Sequence, residues 1–218
     1  MNRLRRRLPG LALIAVLATA AAVVWGKVLT NQDTVADRVR CPPQKGLTAL
    51  PHHALREVTP VPPGEAAVSV SNATSRHDLA ARVATRLEQF GFATHAPPAN
   101  DRVYETDALR CHGQIRFGPR GESAARTVHL VAPCLQLVRD QRTGQEIDVV
   151  LGTEFLELSP NQAALEVLST LRDSADEHDT ATGGLQSATG GPEAELSPSV
   201  LDAAQKSYCS PRPLPSGW

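Results

Sequence analysis

Near the start of the chain lies an uncharged, predominantly apolar run, Leu8–Gly26, which follows four arginines and is closed by Lys27. As an α-helix this run is about 28 Å long, close to the roughly 30 Å hydrocarbon core of a bilayer. The pattern predicts a transmembrane helix over residues 8–26. Because the arginines precede it, the positive-inside bias predicts a single-pass plasma-membrane protein with residues 1–7 in the cytoplasm and the C-terminal domain outside.

A cleaved signal peptide is the alternative interpretation of the same segment. Ala18-Thr19-Ala20 has the small-x-small form that signal peptidase recognises. The apolar run continues beyond this point to Val24 and Trp25, further than a signal peptide needs, and Trp25 suits an interfacial anchor. Both interpretations export the residues that follow.

Beyond the apolar run, the hydrophobic pattern changes twice. Prolines interrupt any long periodic element in residues 28–65, which are predicted to form a largely irregular stalk. Ala66–Val70 then alternates like a strand. Ser75–Asp78 has the form of a capping box and predicts a helix that runs to about Gln89 and ends at Gly91. The apolar positions of this helix recur at spacings of three and four and form one stripe: Leu79, Val83, Leu87 and Phe90.

Strands and helices continue to alternate along the chain. Further strands are predicted at Phe92–His95, Gln114–Phe117, Leu135–Arg139 and Ile147–Leu151. Gly144 lies between the last two of these in a hairpin-like turn. Further helices are predicted at about Glu122–Val131 and about Pro198–Lys206. Between them, a capping box at Ser159–Gln162 predicts a helix whose inward-facing residues are Leu165, Leu168 and Leu171.

Two strand–helix–strand units in succession predict parallel strand pairs with right-handed crossovers. The expected fold class is therefore α/β: a small mixed sheet with helices packed on it, preceded by the transmembrane helix. The expected organisation of the exported part is a folded domain over residues 66–175, a Gly-, Ser- and Thr-rich linker over 179–199, and a C-terminal helix and tail over 200–218.

All four cysteines, Cys41, Cys111, Cys134 and Cys209, follow the predicted membrane segment. An even number of cysteines in an oxidising compartment predicts two disulfide bonds, with three possible connectivities. Residues that immediately precede the two parallel strands of one unit lie at the same end of the sheet. This geometry favours a Cys111–Cys134 bond as a hypothesis, with Cys41–Cys209 by elimination.

Charge and motif content exclude several function classes. The residues after Lys27 carry 17 basic and 23 acidic side chains, a formal net charge of −6. Nucleic-acid binding depends on clustered Lys and Arg, so no nucleic-acid partner is expected. The histidines are scattered without metal-ligand spacing, and the sequence contains no phosphate-binding loop and no nucleophile-elbow motif. We therefore expect no metal, no cofactor and no catalytic residue.

Two short segments carry candidate chemistry. Ser75, His77 and Asp78 contain the atoms of a catalytic triad, but neighbouring residues at one helix start do not converge on a substrate, so a capping role is expected. Gly118–Gly121 precedes a predicted helix and offers backbone N–H groups to an anion. A plain strand-to-helix turn is the favoured interpretation of this glycine segment.

The sequence also contains candidate glycosylation sites. Asn72-Ala73-Thr74 is an N-glycosylation sequon. Because it directly follows a predicted core strand, it is interpreted as a structural turn. The linker threonines Thr180, Thr182 and Thr189 are better candidates for O-linked sugars.

Five segments in consistent order resemble the LytR C-terminal domain family. They cover about residues 66–155 and are Val68–Thr74, Leu79–Ala84, Phe90–Phe92, Ile115–Pro119 and Asp148–Phe155. With one N-terminal membrane helix and four external cysteines, the whole chain is similar to the actinobacterial cell envelope integrity proteins that contain this domain. Other proteins carry the domain behind a LytR-CpsA-Psr phosphotransferase domain. The short stretch between Lys27 and Ala66 leaves no room for that enzyme, so it is not expected here.

The resemblance implies a non-enzymatic, membrane-anchored extracytoplasmic protein that supports cell-envelope integrity. Its expected partners are the plasma membrane, through one helix, and an envelope glycan, lipid or wall-assembly protein. No ligand-binding residue is predicted. One alternative is an envelope hydrolase or transferase with an unfamiliar site, which requires converging polar groups with shifted pKa values. The other is a pure protein scaffold, which requires an exposed apolar patch.

Overall fold

The computed structural model describes residues 17–19, 21, 41–158, 160–182 and 196–205, and the structural statements below concern these residues. Two compact units divide the chain, Met1–Arg38 and Val39–Trp218. In the first unit, residues 17–19 and 21 are helical, and the rest of the predicted membrane segment lies outside the described residues. No helix among the described residues has the length and apolar character needed to cross a bilayer.

The second unit is built around a mixed sheet. Its strands are β1 (Thr48–Ala49), β2 (Ala67–Asn72), β3 (Ala93–Thr94), β4 (Ala99–Asn100), β5 (Gly113–Phe117), β6 (Gln136–Arg139) and β7 (Ile147–Leu151). They are ordered β1-β6-β5-β7-β2-β3, and β4 also pairs with β2. β2 is parallel to β3, and β5 is parallel to β6, whereas β5 and β7 are antiparallel. The predicted pair of strand–helix–strand units in a small mixed sheet is confirmed.

Helices cover one face of this sheet in two layers. They are α1 (Leu79–Gln89), α2 (Glu122–Val131), α3 (Gln162–Thr182) and α4 (Pro198–Gln205). The predicted stripe of α1 is buried, and α1 and α2 share a core with Ile115 and Phe117 of β5. Parts of α3 and α4 pack against Leu130 of α2. Because α2 lies between the sheet and these outer helices, every side chain from Ala124 to Val131 is buried.

The opposite face of the sheet carries polar side chains under a covering loop. We call Gln114, Arg116, Gln136 and Asp148 the polar face, since they alternate with the core residues of β5, β6 and β7. The loop that contains Tyr104 and Leu109 covers part of it and forms a small second core with Cys41, Cys111 and Val150. The alternation of Gln114 and Arg116 with Ile115 and Phe117 follows the prediction, but both polar side chains are buried.

The predicted disulfide connectivity is wrong. Cys41 and Cys111 form a disulfide bond, with their Cα atoms 5.1 Å apart. Cys134 is also disulfide-bonded, and Cys209, the fourth cysteine of the chain, lies outside the described residues. The ends of β5 and β6 do lie together, but Cys111 belongs to the small core on the polar face. Cys134 lies in the turn between α2, which packs on the other face, and β6.

The predicted stalk and linker also need correction. Residues 41–65 belong to the folded unit, because β1 pairs with β6 and Leu55 is buried in the main core. The prolines there prevent long elements without preventing packing. At the other end, α3 continues to Thr182, into the predicted linker. Residues 183–195 of that linker lie outside the described residues.

The predicted hairpin between β6 and β7 is wrong, since β5 lies between these two strands. The connection passes over the end of β5, where the backbone of Arg142 packs directly on Gly118. A Cβ atom at Gly118 would collide with the Arg142 carbonyl, so glycine is required for this close approach. The glycine segment is thus the end of a strand and the crossing point of a loop.

Both predicted capping boxes are also wrong. Asp78 precedes α1 in the left-handed region, with φ +57°, and no side chain caps the helix. At α3, Asn161 is the cap, because its Oδ1 accepts a hydrogen bond of 2.8 Å from the N–H of Ala164. Ser159 lies outside the described residues.

Candidate functional site: a buried basic cluster beneath helix α4

The residues that the sequence singled out for chemistry serve the turns around α1. The Ser75 N–H donates to Asp107 Oδ1 at 2.8 Å, and the carbonyl of His77 accepts from Arg82. In the sequon, Asn72 Oδ1 accepts from the Thr74 hydroxyl at 2.8 Å, and Asn72 Nδ2 donates to the Arg76 carbonyl at 2.8 Å. These bonds agree with a structural role for the sequon turn.

The other predicted positions bring no reactive groups together. Gly118 leads into a short 3-10 helix, Pro119–Gly121, and its carbonyl accepts a hydrogen bond of 3.0 Å from the Gly121 N–H. The backbones of Thr180 and Thr182 lie in α3, and Thr189 lies outside the described residues. In the part of the chain that the structure describes, no three His, Cys, Asp or Glu residues are placed to hold a metal ion.

An unpredicted group of basic side chains gathers on the outer face of α2. Arg126 and His129 are three positions apart, so they lie on the same face of the helix. Both are fully buried, with relative exposures of 0%. The ring of His52, from the segment between β1 and β2, lies 4.6 Å from the His129 ring. We call Arg126, His129 and His52 the basic cluster.

Helix α4 covers one side of this cluster. The Gln205 amide nitrogen lies 3.3 Å from His129 Nδ1. Because an amide nitrogen only donates, His129 Nδ1 accepts and its Nε2 carries the proton. Asp202 of the same helix forms an ion pair of 3.0 Å with Arg56, and both of these side chains are exposed.

The hydrogen-bond donors inside the basic cluster are not satisfied. Arg126 Nε, Nη1 and Nη2 have no hydrogen-bond partner, and His129 Nε2 has none of good geometry, although the Pro133 carbonyl is near enough to affect the pKa of this ring. A buried polar group without a partner is costly, and a buried charge more so. All four of these atoms are donors, so the group that would satisfy them is an acceptor, and an anion would also neutralise the guanidinium.

Burial controls the protonation of the cluster. Desolvation lowers the pKa of His129 to about 3, helped by the neighbouring His52 and Arg126 and opposed by the backbone carbonyl of Pro133. Burial likewise lowers the pKa of His52, against the opposing effect of its hydrogen bond to the Pro133 carbonyl. Burial also lowers the pKa of Arg126, while Asp202 opposes the shift. At neutral pH both imidazoles are uncharged and Arg126 carries the single positive charge of the cluster.

This arrangement predicts an acid-sensitive fold. His129 has a pKa of about 3 when folded against a model value of 6.5. Below pH 6.5 the unfolded chain therefore binds a proton that the folded chain does not, so stability is lost as the pH falls. Linkage gives a loss of about 2 kcal/mol from this one residue by pH 5. Urea unfolding at pH 7 and pH 5 should show that His129→Gln reduces the acid-induced loss by about this amount.

The matched control for this measurement is His95→Gln, which changes an exposed histidine. Its acid-induced loss should equal that of the wild type. An unchanged loss in His129→Gln would contradict the buried neutral state of His129.

The charged groups on the polar face differ from the basic cluster because each has partners. Arg116 Nη1 donates to Asp101 Oδ1 at 2.7 Å, and both side chains are 4% exposed. Arg142 bonds both Asp140 and Asp148 at 2.7 Å. Burial alone would lower the pKa of Arg142, but these carboxylates outweigh it and raise the pKa. The charged side chains on and beside the polar face therefore form a structural network in which each has an ion-pair partner. The basic cluster, in contrast, contains hydrogen-bond donors without acceptors.

Comparison with known proteins agrees with this fold. The sequence profile of the family described as LytR cell envelope-related transcriptional attenuator matches residues 65–155. The chain is 35% identical over 184 residues to the cell envelope integrity protein Cei of Mycobacterium tuberculosis. The aligned region covers 80% of this chain and 85% of the relative. It is also similar to the crystal structure of the soluble domain (residues 71–217) of a conserved hypothetical secreted protein from Mycobacterium marinum. That similarity has a TM-score of 0.60 and 37% identity, and covers 76% of this chain and 99% of the other.

The fold and these matches define an α/β protein of the LytR C-terminal domain class. The chain belongs to the family of the cell envelope integrity protein Cei. The resemblance that the sequence motifs indicated is thereby confirmed.

The sequence analysis did not predict the basic cluster. His52 and His129 are far apart in the chain, and His52 lies in the segment predicted to be a stalk. The available signal was weak: Arg126 and His129 lie among mostly apolar and small residues from Ala124 to Val131. In a helix enclosed on all sides, such residues must be buried.

Proposed function

We propose that this chain is an extracytoplasmic protein, anchored by the predicted helix over residues 8–26, that supports envelope integrity by binding an envelope component and not by catalysis. Three features support the proposal. The chain is related to a cell envelope integrity protein, its described cysteines are disulfide-bonded, and an uncharged run of suitable length precedes the folded unit. The component would be a glycan, a lipid or a wall-assembly protein.

The observation that carries the binding role is the buried guanidinium of Arg126 with three unsatisfied nitrogens. Replacing a buried charge with an apolar side chain is often neutral or stabilising, so stability alone does not account for an arginine at this position. Departures from good packing and polar satisfaction concentrate at functional sites. If Arg126 binds an anionic group of the envelope component, this accounts both for the buried arginine and for its unsatisfied nitrogens.

The test is complementation of a strain that lacks the endogenous gene. Arg126→Met should fail to restore resistance to detergent, although the protein accumulates in the membrane fraction at the wild-type level by immunoblot. The matched control is Arg120→Met, which removes an exposed arginine just ahead of the same helix and should restore resistance fully. Full restoration by Arg126→Met would contradict a binding role for the basic cluster. Recovery of the wild-type chain in the soluble fraction would contradict the anchor.

A further inference from the structure

The Cys41–Cys111 disulfide bond joins the start of the folded unit to the interior of its sheet. Cys41 is the first residue of this unit that the structure describes, and Cys111 precedes β5 by two positions. β5 lies inside the sheet, with β6 paired along one side and β7 along the other. The bond therefore connects the point at which the chain enters the folded unit with a strand that is held on both sides.

Residues 42–65 contact the rest of the unit through interactions that follow one another along the chain. β1 pairs with β6 alone, at the edge of the sheet. Leu55 lies in the main core, and the carbonyl of Val61 accepts a hydrogen bond of 2.7 Å from the Thr127 hydroxyl. Without the disulfide bond, tension on the N-terminal side of Cys41 would load these contacts in turn, so each would resist alone.

The disulfide bond changes which contacts carry that tension. Through Cys111 the force reaches β5, whose hydrogen-bond ladders with β6 and β7 must yield together before the strand can move. Contacts that open one at a time, as at a fraying chain end, open at low free-energy cost, whereas a cooperative unit resists as a whole. The folded unit is therefore expected to withstand more force through Cys111 than through residues 42–65.

We propose that the Cys41–Cys111 bond is a mechanical strap, which passes tension from the membrane anchor directly into β5 and keeps residues 42–65 out of its path. This inference rests on the proposed function, since the tension arises between the anchor and a bound envelope component. β5 is followed by α2, which carries Arg126, so the path from the anchor to the proposed binding residue is short.

The strap protects the basic cluster. His52 lies in the segment that the strap shields, and its ring is 4.6 Å from the ring of His129. If tension drew this segment out, His52 and the buried Leu55 would leave with it while the rest of the unit stayed folded. With the strap in place, the cluster stays assembled while the anchor is pulled.

The point at which force is applied separates a strap from an ordinary stabilising crosslink. The loop-entropy contribution of a disulfide bond acts on the unfolded chain and is the same wherever force is applied. A strap acts only on force that enters the chain before Cys41. Moving the point of attack beyond Cys41 should therefore abolish the protection while the bond itself stays intact.

The test is forced unfolding of residues 39–218 in optical tweezers, without reductant. These residues form a compact unit of their own, and the corresponding soluble domain of the Mycobacterium marinum relative was crystallised by itself. One handle is attached at the N-terminus. The other is attached to p-azidophenylalanine in place of Thr143, an exposed residue of the connection that crosses the far end of β5.

The wild type should show no lengthening before the sheet yields. The double variant Cys41→Ala with Cys111→Ala should show a separate, early lengthening of at most about 85 Å, as residues 42–65 are drawn out at roughly 3.5 Å each. The force of this early step should be about half of the wild-type unfolding force or less, because the contacts open one at a time.

The matched control keeps the bond and moves the handle. With p-azidophenylalanine in place of the exposed Glu57, the force enters the wild type beyond Cys41 and bypasses the strap. An early lengthening should then appear in the wild type as well. If circular dichroism shows that the double variant is unfolded, this comparison within the wild type decides the question.

Equal first-transition forces in the wild type and the double variant, both pulled from the N-terminus, would overturn the inference. A wild type that resists as well from position 57 as from the N-terminus would overturn it too. If the strap fails in either way but Arg126→Met still fails complementation, the proposed binding role stands. Recovery of the full chain in the soluble fraction would remove the source of the tension and overturn the strap together with the anchor.

Discussion

Asp101→Asn is expected to lower the free energy of unfolding by roughly 3 kcal/mol. The side chains of Asp101 and Arg116 are each 4% exposed and pair at 2.7 Å, and Arg116 also donates from Nε to Gln114 Oε1 at 2.9 Å. The substitution keeps the size of the side chain but removes its charge. Arg116 is then left buried without a counterion, which is the costly way to break a buried ion pair. Urea unfolding of residues 39–218, followed by circular dichroism, measures the change.

Two further variants make this result specific. Asp173→Asn removes an exposed carboxylate on α3 and should change stability by less than about 0.5 kcal/mol. Adding Arg116→Met to Asp101→Asn removes the stranded charge and should recover a large part of the loss. If Asp101→Asn alone unfolds like the wild type, the ion pair contributes nothing and the covering loop is held by other contacts.

Loss of the Cys41–Cys111 disulfide is expected to cost about 4 kcal/mol on the chain-entropy model. The bond joins residues separated by 70 positions, so breaking it restores considerable freedom to the unfolded chain. Both sulfur-bearing side chains are buried in the small core, so the double variant Cys41→Ala with Cys111→Ala avoids new polar groups. Guanidinium unfolding of this variant and of the wild type, both without reductant, gives the difference.

Non-reducing peptide mapping provides the control for the disulfide measurement. The wild type should give a peptide pair containing Cys41 and Cys111, and the double variant should retain the disulfide bond of Cys134. Recovery of Cys111 linked to Cys134 would contradict the structure. A stability loss below about 1 kcal/mol would show that the N-terminal segment is held mainly by noncovalent contacts.

The local elements of this protein were largely predictable, because periodicity is a local property. The stripe of α1 and the alternation of β5 each report one buried face, whatever lies on the other side. The approximate bounds predicted for α2 agree with the structure, since Pro133 and the glycine segment limit it. The parallel pairs followed from the handedness of strand–helix–strand units.

The errors concern partners that are distant in the chain. The turn at Gly144 suggested that β6 and β7 pair, but β5 lies between them in the sheet. The order of strands in the sheet depends on contacts between distant segments and cannot be predicted from a short stretch of sequence. The stalk appeared irregular because of its prolines, yet it contributes β1 and the buried Leu55. The disulfide argument considered only cysteines next to the parallel strands, whereas the partner of Cys111 is Cys41, which the fold brings into the small core from far along the chain.

By itself, the sequence determined the alternation of strands and helices, the family and the expected export of the folded unit, because these depend on local spacing, short motifs and one long apolar run. Only the tertiary structure decided which polar residues are satisfied. Arg116 and Arg126 look alike in sequence, and both become buried. Arg116 forms an ion pair with Asp101 on the polar face. Arg126 is enclosed between α2, α4 and the segment containing His52, and its guanidinium has no hydrogen-bond acceptor there. That difference arises from contacts between segments remote in the chain, and it is the reason that we propose Arg126 as the ligand-binding residue.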